Sequence, residues 1–497
     1  MRGTRTPPVL PAVMALIPLW LGGCAVGPDF KKPAAPQVDS YTAAPLPATL
    51  PEVAGSKTGG NAQRFAAGGP LAADWWTLFH SAPLNELVQQ ALDKNADLKA
   101  ARAALASAHE DVLAQRGAYY PSAAAGFAAS RQRQSGQLAP TPASNALLFN
   151  LYTPEVSVSY VPDVFGLNRR TVESLQAQED SMRYQTAATY LTLTSNLVVT
   201  AIQQASVQAQ IDATRELIDI NSSMLKVLRY QLDKGYASGL DLAAQQSQLA
   251  QVAATLPPLA KQSAQLGDQL AVLAGRFPSE GAPQFELASL TLPEDLPLSL
   301  PSALVAQRPD VLQAEANMHA ASARIGIARA NRLPNIALTA DAGSTAVAMS
   351  QLFTAGTGFW SVSAAATAPL FEGGTLMHQE RSARAAYVQA AEQYRSTVLT
   401  AFQNVADTLV ALEQDAEELK AAVTAADAAQ VTLELAQRQF QGGYASYVSL
   451  LSAEQAYQQS RIALVQAQAS RFADTAALYQ ALGGGWWQRP DLTKDDK

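Results

Sequence analysis

The 497-residue chain carries a formal net charge of −7, is only 7% aromatic and 15% charged, and is rich in Ala and Gln. That balance offers no basic surface for nucleic acid, and so little side-chain bulk suits long helices better than a compact core. Cys24 is the only cysteine, which excludes an intramolecular disulfide.

The N-terminus has Arg2 and Arg5, an apolar run from Val9 to Leu21, and then Leu21-Gly22-Gly23-Cys24. A charged start, a short apolar stretch and small residues before the cut predict a signal peptide over 1–23, too short for a spanning helix. Leu21, Gly22 and Gly23 read as a lipobox, after which Cys24 is acylated as in a palmitate-bearing lipoprotein. Ala25, where proteins held at the inner membrane usually have Asp, points to the outer membrane. Residues 24–70, rich in Pro, Ala and Gly without apolar period, read as a lipidated tether.

The first repeat is predicted over 71–277. It opens with Asp74-Trp75-Trp76, then Leu84, Leu87, Val88, Ala91 and Leu92 at helical spacing. A second helix from Ala96 to Tyr119 stops before Pro121, which cannot continue it. The period then changes to two: Ala123, Ala125, Phe127 and Ala129, and again Val156, Val158 and Tyr160, alternate with small or polar neighbours. These read as strands of about ten residues, the length that crosses a bilayer when tilted. From Asn168 to Asp233 no proline intervenes, and Ile211, Ile218, Leu225 and Leu232 recur at seven. At ~1.5 Å per residue such a helix is on the order of 100 Å long.

It ends at Gly235-Tyr236-Ala237-Ser238-Gly239-Leu240-Asp241. Gly235 suits the left-handed turn that ends a helix, Ser238 suits the cap of the next, and Asp241 completes a capping box. The returning helix keeps the heptad at Leu242, Leu249, Leu256, Ser263 and Leu270, with a kink expected at Pro257-Pro258. Five prolines over 278–301 predict a stiff linker.

A second repeat over 302–482 follows. Val311, Met318 and Ile325 reproduce Leu98, Leu105 and Val112, and Pro334 reproduces Pro121. Ile336, Leu338 and Ala340 alternate with polar or small residues, as do Trp360, Val362, Ala364 and Ala366. The second tip, Gly443-Tyr444-Ala445-Ser446-Tyr447-Val448-Ser449, lies 208 residues beyond the first, with Ser449 only a weak box partner. Its returning stripe is Leu450, Tyr457, Leu464, Arg471 and Leu478, with no proline to kink it. Residues 483–497 read as a tail. Trp75, Trp76 and Trp360 are candidate interface anchors, the first two equally candidates for the core.

The predicted class is therefore mainly α with a transmembrane β part: a duplicated protomer of four strands and long coiled-coil-like hairpins. Four strands cannot close a barrel, and an open sheet in lipid leaves backbone groups unpaired at several kcal/mol each. Trimerisation would supply twelve strands, continuing into an α-helical tunnel. No catalytic motif appears; His80, His109, His319 and His378 are scattered without ligand spacing, so no enzyme, metal or cofactor is predicted.

Cys24-Ala25-Val26-Gly27-Pro28-Asp29-Phe30, Asp74-Trp75-Trp76, Asn95-Ala96-Asp97-Leu98, Arg308-Pro309-Asp310-Val311, Ile325-Gly326-Ile327-Ala328-Arg329-Ala330 and Phe371-Glu372-Gly373-Gly374 occur in this order. In them the chain resembles the TolC-like outer-membrane efflux proteins of the NodT lipoprotein type. The resemblance implies a homotrimeric outer-membrane channel with a long periplasmic extension. It would be the exit duct for drugs or other small molecules in a tripartite system with a periplasmic adaptor (membrane fusion protein) and an inner-membrane transporter of the resistance-nodulation-division type. It also implies adaptor docking at the tips, through Gly235, Tyr236, Ala237, Ser238, Leu240 and Asp241, and through Gly443, Tyr444, Ala445, Ser446, Val448 and Ser449. The family often has aspartates where this chain has Ser449 and Ser452, and Arg where it has Gln231 and Gln439, which implies a neutral tunnel constriction. The other readings are a type I secretion duct and a non-pore periplasmic coiled-coil lipoprotein.

Overall fold

The computed structural model describes residues 25–69, 71–135 and 148–493. The expected signal peptide over 1–23, with the expected lipobox Leu21-Gly22-Gly23, and also Cys24 and the last four residues, lie outside the described residues. The chain forms two units: residues up to Pro33 with Leu105–Ser181 and Ala314–Tyr394, and Ala34–Ala104 with Met182–Gln313 and Arg395–Lys497.

Seven strands are described: β1 Thr49–Leu50, β2 Gln63–Ala67, β3 Ser122–Arg133, β4 Leu148–Tyr160, β5 Asp295–Leu298, β6 Asn335–Ser344 and β7 Gly358–Thr367. The helices are α1 Ala82–Lys94, α2 Ala96–Arg116, α3 Leu167–Asp233, α4 Gly239–Ala254, α5 Leu256–Leu273, α6 Pro301–Gln307, α7 Pro309–Ala330, α8 Thr375–Gln441, α9 Tyr447–Ala481 and α10 Pro490–Thr493. The repeat is visible in the two long helices, α3 and α8, each of 67 residues. Pro257 and Pro258 separate α4 from α5, whereas α9 runs unbroken through the matching positions.

In the first unit, β3, β4, β6 and β7 form one antiparallel sheet in that order, so the strands of the two repeats meet at β4–β6. In the second unit, Trp75, Trp76 and Phe79 are buried, with Trp75 stacked on Tyr479 at 5.2 Å, so the tandem tryptophans belong to the core. The heptad stripe of α9 is buried at Leu450, Tyr457 and Leu478, and also at Arg471. That guanidinium is kept by donating to the carbonyls of Gly59 and Asn61 and to Gln63 Oε1 at 2.7–3.2 Å.

Three segments differ from the sequence reading. The tether and the linker each contribute strands to a small mixed sheet, β1–β2–β5, with β2 and β5 parallel. The supposed tail packs through residue 493: Trp486 is buried and its indole donates to the Gln307 carbonyl at 2.7 Å. Such pairings join residues far apart in the chain and leave no local period to read.

Candidate functional site

Two features of the chain bear on function, the sheet and the hairpin tips. The register of the sheet places Ala125 opposite Val156, Val156 opposite Ala342, and Ala342 opposite Trp360. One row further on stand Ala123, Val158, Ala340 and Val362. Residues paired across an antiparallel sheet share a face, so every alternating apolar set falls on the same side. The other side carries Ser157, Asp341 and Ser361 in register, with Ser361 Oγ donating to Asp341 at 3.1 Å. The apolar face is not packed in the protomer: Trp360 is 78% and Val362 73% exposed. An unburied apolar band on one face, with small and polar residues on the other, is the pattern of a sheet that parts lipid from a lumen. Within the protomer β3 and β7 are edge strands of the sheet.

Each tip is a helix reversal built in the same way. Gly235 and Gly443 both have φ +77°, and a Cβ at either would meet open space, so the left-handed backbone alone asks for glycine. The amides of Tyr236 and Tyr444 donate to the carbonyls of Gln231 and Gln439 at 2.8 Å, while those of Gly235 and Gly443 donate to Leu232 and Phe440. These are the paired bonds of a Schellman ending. Next, Ser238 Oγ accepts from the Asp241 amide at 3.2 Å, and Asp241 Oδ2 accepts from the Ser238 amide and hydroxyl. The second cap is half of this: Ser446 Oγ accepts from the Ser449 amide, and the two hydroxyls meet at 3.0 Å.

The reversals present Tyr236 at 84% exposure, Tyr444 at 89%, and Leu240 and Val448. Ala237 packs inward, against the tip core of Met224, Leu228, Val252, Tyr447 and Leu450. Gly239, Ser238, Ser446 and Ser449 are exposed, and so is Ser452, whose hydroxyl donates to the Val448 carbonyl at 3.0 Å.

A buried polar chain beneath the tips escaped the sequence reading. The Tyr447 hydroxyl donates to Gln245 Oε1, Gln245 Nε2 donates to Asn221 Oδ1 at 2.9 Å, and Asn221 Nδ2 donates to the Leu217 carbonyl. Glu454 lies in the same core, 2% exposed, with both carboxylate oxygens buried and without a hydrogen-bond partner. Burial pushes its carboxyl up to about 7; the nearby Gln245 amide, whose hydrogen bonds go to Asn221, opposes this only in part. The available signal was position: Glu454 stands on the α9 stripe between Leu450 and Tyr457.

No group of His, Cys, Asp and Glu able to hold a metal occurs among the described residues. His109 and His319 instead bond Glu179 and Glu173 at 3.0 and 3.1 Å.

The probable efflux pump outer membrane protein TtgC of Pseudomonas putida is 29% identical over 486 residues, spanning 96% of this chain and 95% of its own. Outer membrane protein OprJ of Pseudomonas aeruginosa is 28% identical over 475 residues, 95% of either chain. The solved structure of the outer membrane protein VceC of Vibrio cholerae matches with a TM-score of 0.77 at 25% identity, over 84% of this chain and 99% of that one. A family profile described as outer membrane efflux protein matches twice, at residues 87–276 and 300–484, one match to each repeat. With both repeats matched and the two-faced sheet joining them, the chain belongs to the outer membrane efflux protein family.

Proposed function

We propose that this chain is the passive exit duct of a tripartite efflux system, carrying drugs or other small molecules across the outer membrane. The observation that carries the reading is the sheet register, which gives one apolar face and one face of small and polar residues across both repeats. Because β3 and β7 keep unpaired edges, closure in lipid needs further copies, and three supply twelve strands. The edge β7 of one copy then pairs with β3 of the next.

Acylation of Cys24 would anchor the mature chain in the outer membrane. The tips dock a periplasmic adaptor, and the exposed Tyr236, Leu240, Tyr444 and Val448 supply the apolar contact; the adaptor joins the duct to an inner-membrane transporter of the resistance-nodulation-division type. Ser449 and Ser452 make the constriction neutral.

The first test is the native mass of the detergent-extracted mature protein by light scattering coupled to size exclusion. A trimer is expected; a monomer or dimer stable across mild detergents leaves four or eight strands and removes the channel. For the tips, Tyr236→Glu and Tyr444→Glu, both at exposed side chains, are expected to abolish adaptor binding and drug resistance while leaving the trimer intact. Unchanged assembly and resistance in both variants would rule out docking there.

A further inference from the structure

In the first unit, three arginines close on one glutamate below the sheet. Arg332 and Arg329 lie three and six residues before β6, and Arg384 lies on the third turn of α8. Arg329 Nε and Arg384 Nη2 donate to Glu380 Oε1 at 3.0 and 2.7 Å, and Arg332 donates to Oε2. Glu380 is buried beneath them. Hydrogen bonds from Arg384, Arg329 and Arg332 hold its carboxyl down to about 2 against its desolvation, so it stays ionised. One carboxylate offsets one of the three positive charges, and the remaining guanidinium N–H groups of Arg329 and Arg384 make no other hydrogen bond among the described residues.

Arg329 and Arg384 line a cavity of about 350 Å³ whose facing wall is the N-terminal segment, with Phe30 and Lys31. Gly27 seats that segment: with φ +107°, its Cβ would fall 2.5 Å from Gly326 Cα. Phe30 is fixed by stacking on His319 at 4.4 Å. Ser322 and Tyr387 also line it. Asp29, the acid in the lining, is engaged by Arg170 at 2.8 Å, whereas Lys31 has no ion-pair partner among the described residues. The lining thus combines three cations with one carboxylate, already paired to Arg170, and an aromatic ring.

We propose that this cavity binds the phosphate headgroup of an anionic phospholipid from the periplasmic leaflet of the outer membrane. The inference rests on the reading that the sheet crosses that membrane. A ten-residue strand tilted near 40° spans roughly 25 Å, the height of the apolar band, so the start of β6 marks its periplasmic edge. Arg329 and Arg332, just before that edge in the chain, lie within on the order of 10 Å of it on the periplasmic side, and long arginine side chains can extend back into the headgroup layer. Guanidinium groups recognise phosphate through paired N–H donors, and Phe30 with Ile325 gives the glycerol and upper acyl carbons an apolar contact.

The test is native mass spectrometry of the detergent-extracted full mature protein titrated with phosphatidylglycerol or phosphatidylcholine of the same chains, with conductance in planar bilayers read on the same preparations. Wild type is expected to retain phosphatidylglycerol preferentially. Lys31→Gln and Arg384→Gln should each weaken that retention by about fivefold, and the double variant by about 25-fold, with conductance unchanged. Lys31→Gln touches no ion pair and guards against misfolding as the cause. Equal retention of both lipids, or a double variant that holds phosphatidylglycerol like wild type, overturns the proposal while a conducting channel leaves the duct standing. Displacement of the lipid by equimolar inorganic phosphate also overturns it, because the site would then recognise a free anion. Loss of the channel in the wild type removes the reading beneath it.

Discussion

Replacing Glu454 by Gln keeps the shape of the side chain and removes its charge from the core beneath the tips. The wild-type carboxyl, buried without a hydrogen-bond partner, is pushed from the ordinary 4.5 up to about 7. The folded tip therefore binds this proton more tightly than an opened tip does. Stability from it is complete below pH 4.5 and is lost as the pH rises through 7. The full difference is worth about 3 kcal/mol per protomer, or a few hundred-fold in a local opening equilibrium. Hydrogen exchange of amides in the first turns of α4 and α9, corrected for intrinsic rates, reads that opening directly. Between pH 5 and 8.5 wild-type protection should fall by about 100-fold, while Glu454→Gln should stay flat and be the better protected at pH 8.5. The reasoning fails if the variant keeps the wild-type slope, or if it opens more readily at pH 8.5.

The two caps differ in completeness, so Ser238→Ala should loosen its tip by about 1–2 kcal/mol and Ser446→Ala by only about 0.5–1, read by limited proteolysis at each turn. Val362→Arg, at mid-strand on the apolar face, should destabilise the inserted barrel by about 2–4 kcal/mol and lower the yield of heat-resistant oligomer, while the same charge at Ala365 on the opposite face is tolerated. Equal losses at both positions would refute the assignment of faces. Glu380 is held below the usual carboxylate range, so its contribution is present above pH 4.5 and lost as the pH falls towards 2. Glu380→Gln should accordingly lower the melting temperature at pH 7 and flatten its dependence between pH 5 and 3.

Much of this protein is legible because its information is local. Seven-residue spacing in Ile211 to Leu232, alternation in Trp360 to Ala366, and a glycine followed three residues later by serine each specify a conformation within a few turns of chain. The two tips differ where their residues differ: Asp241 closes a box and Ser449 does not. What escaped reading depends on distant partners. Strand β1 has two residues, too few for a period, and exists because β2 pairs with it. Gly483–Gln488 shows no pattern, yet it folds back because Trp486 has a carbonyl to reach at Gln307.

The sequence by itself determined the duplication, the two long helices, the glycine reversals and the alternation of each strand, since these follow from residue type and spacing. Tertiary structure decided which alternations share a face, because one residue of slip between β4 and β6 would have turned the second repeat's apolar set to the polar side. It also decided that Glu454 lies buried without a partner and that Glu380 gathers three arginines. The charge environment of a side chain is set by what the fold brings beside it, and not by its neighbours in the chain.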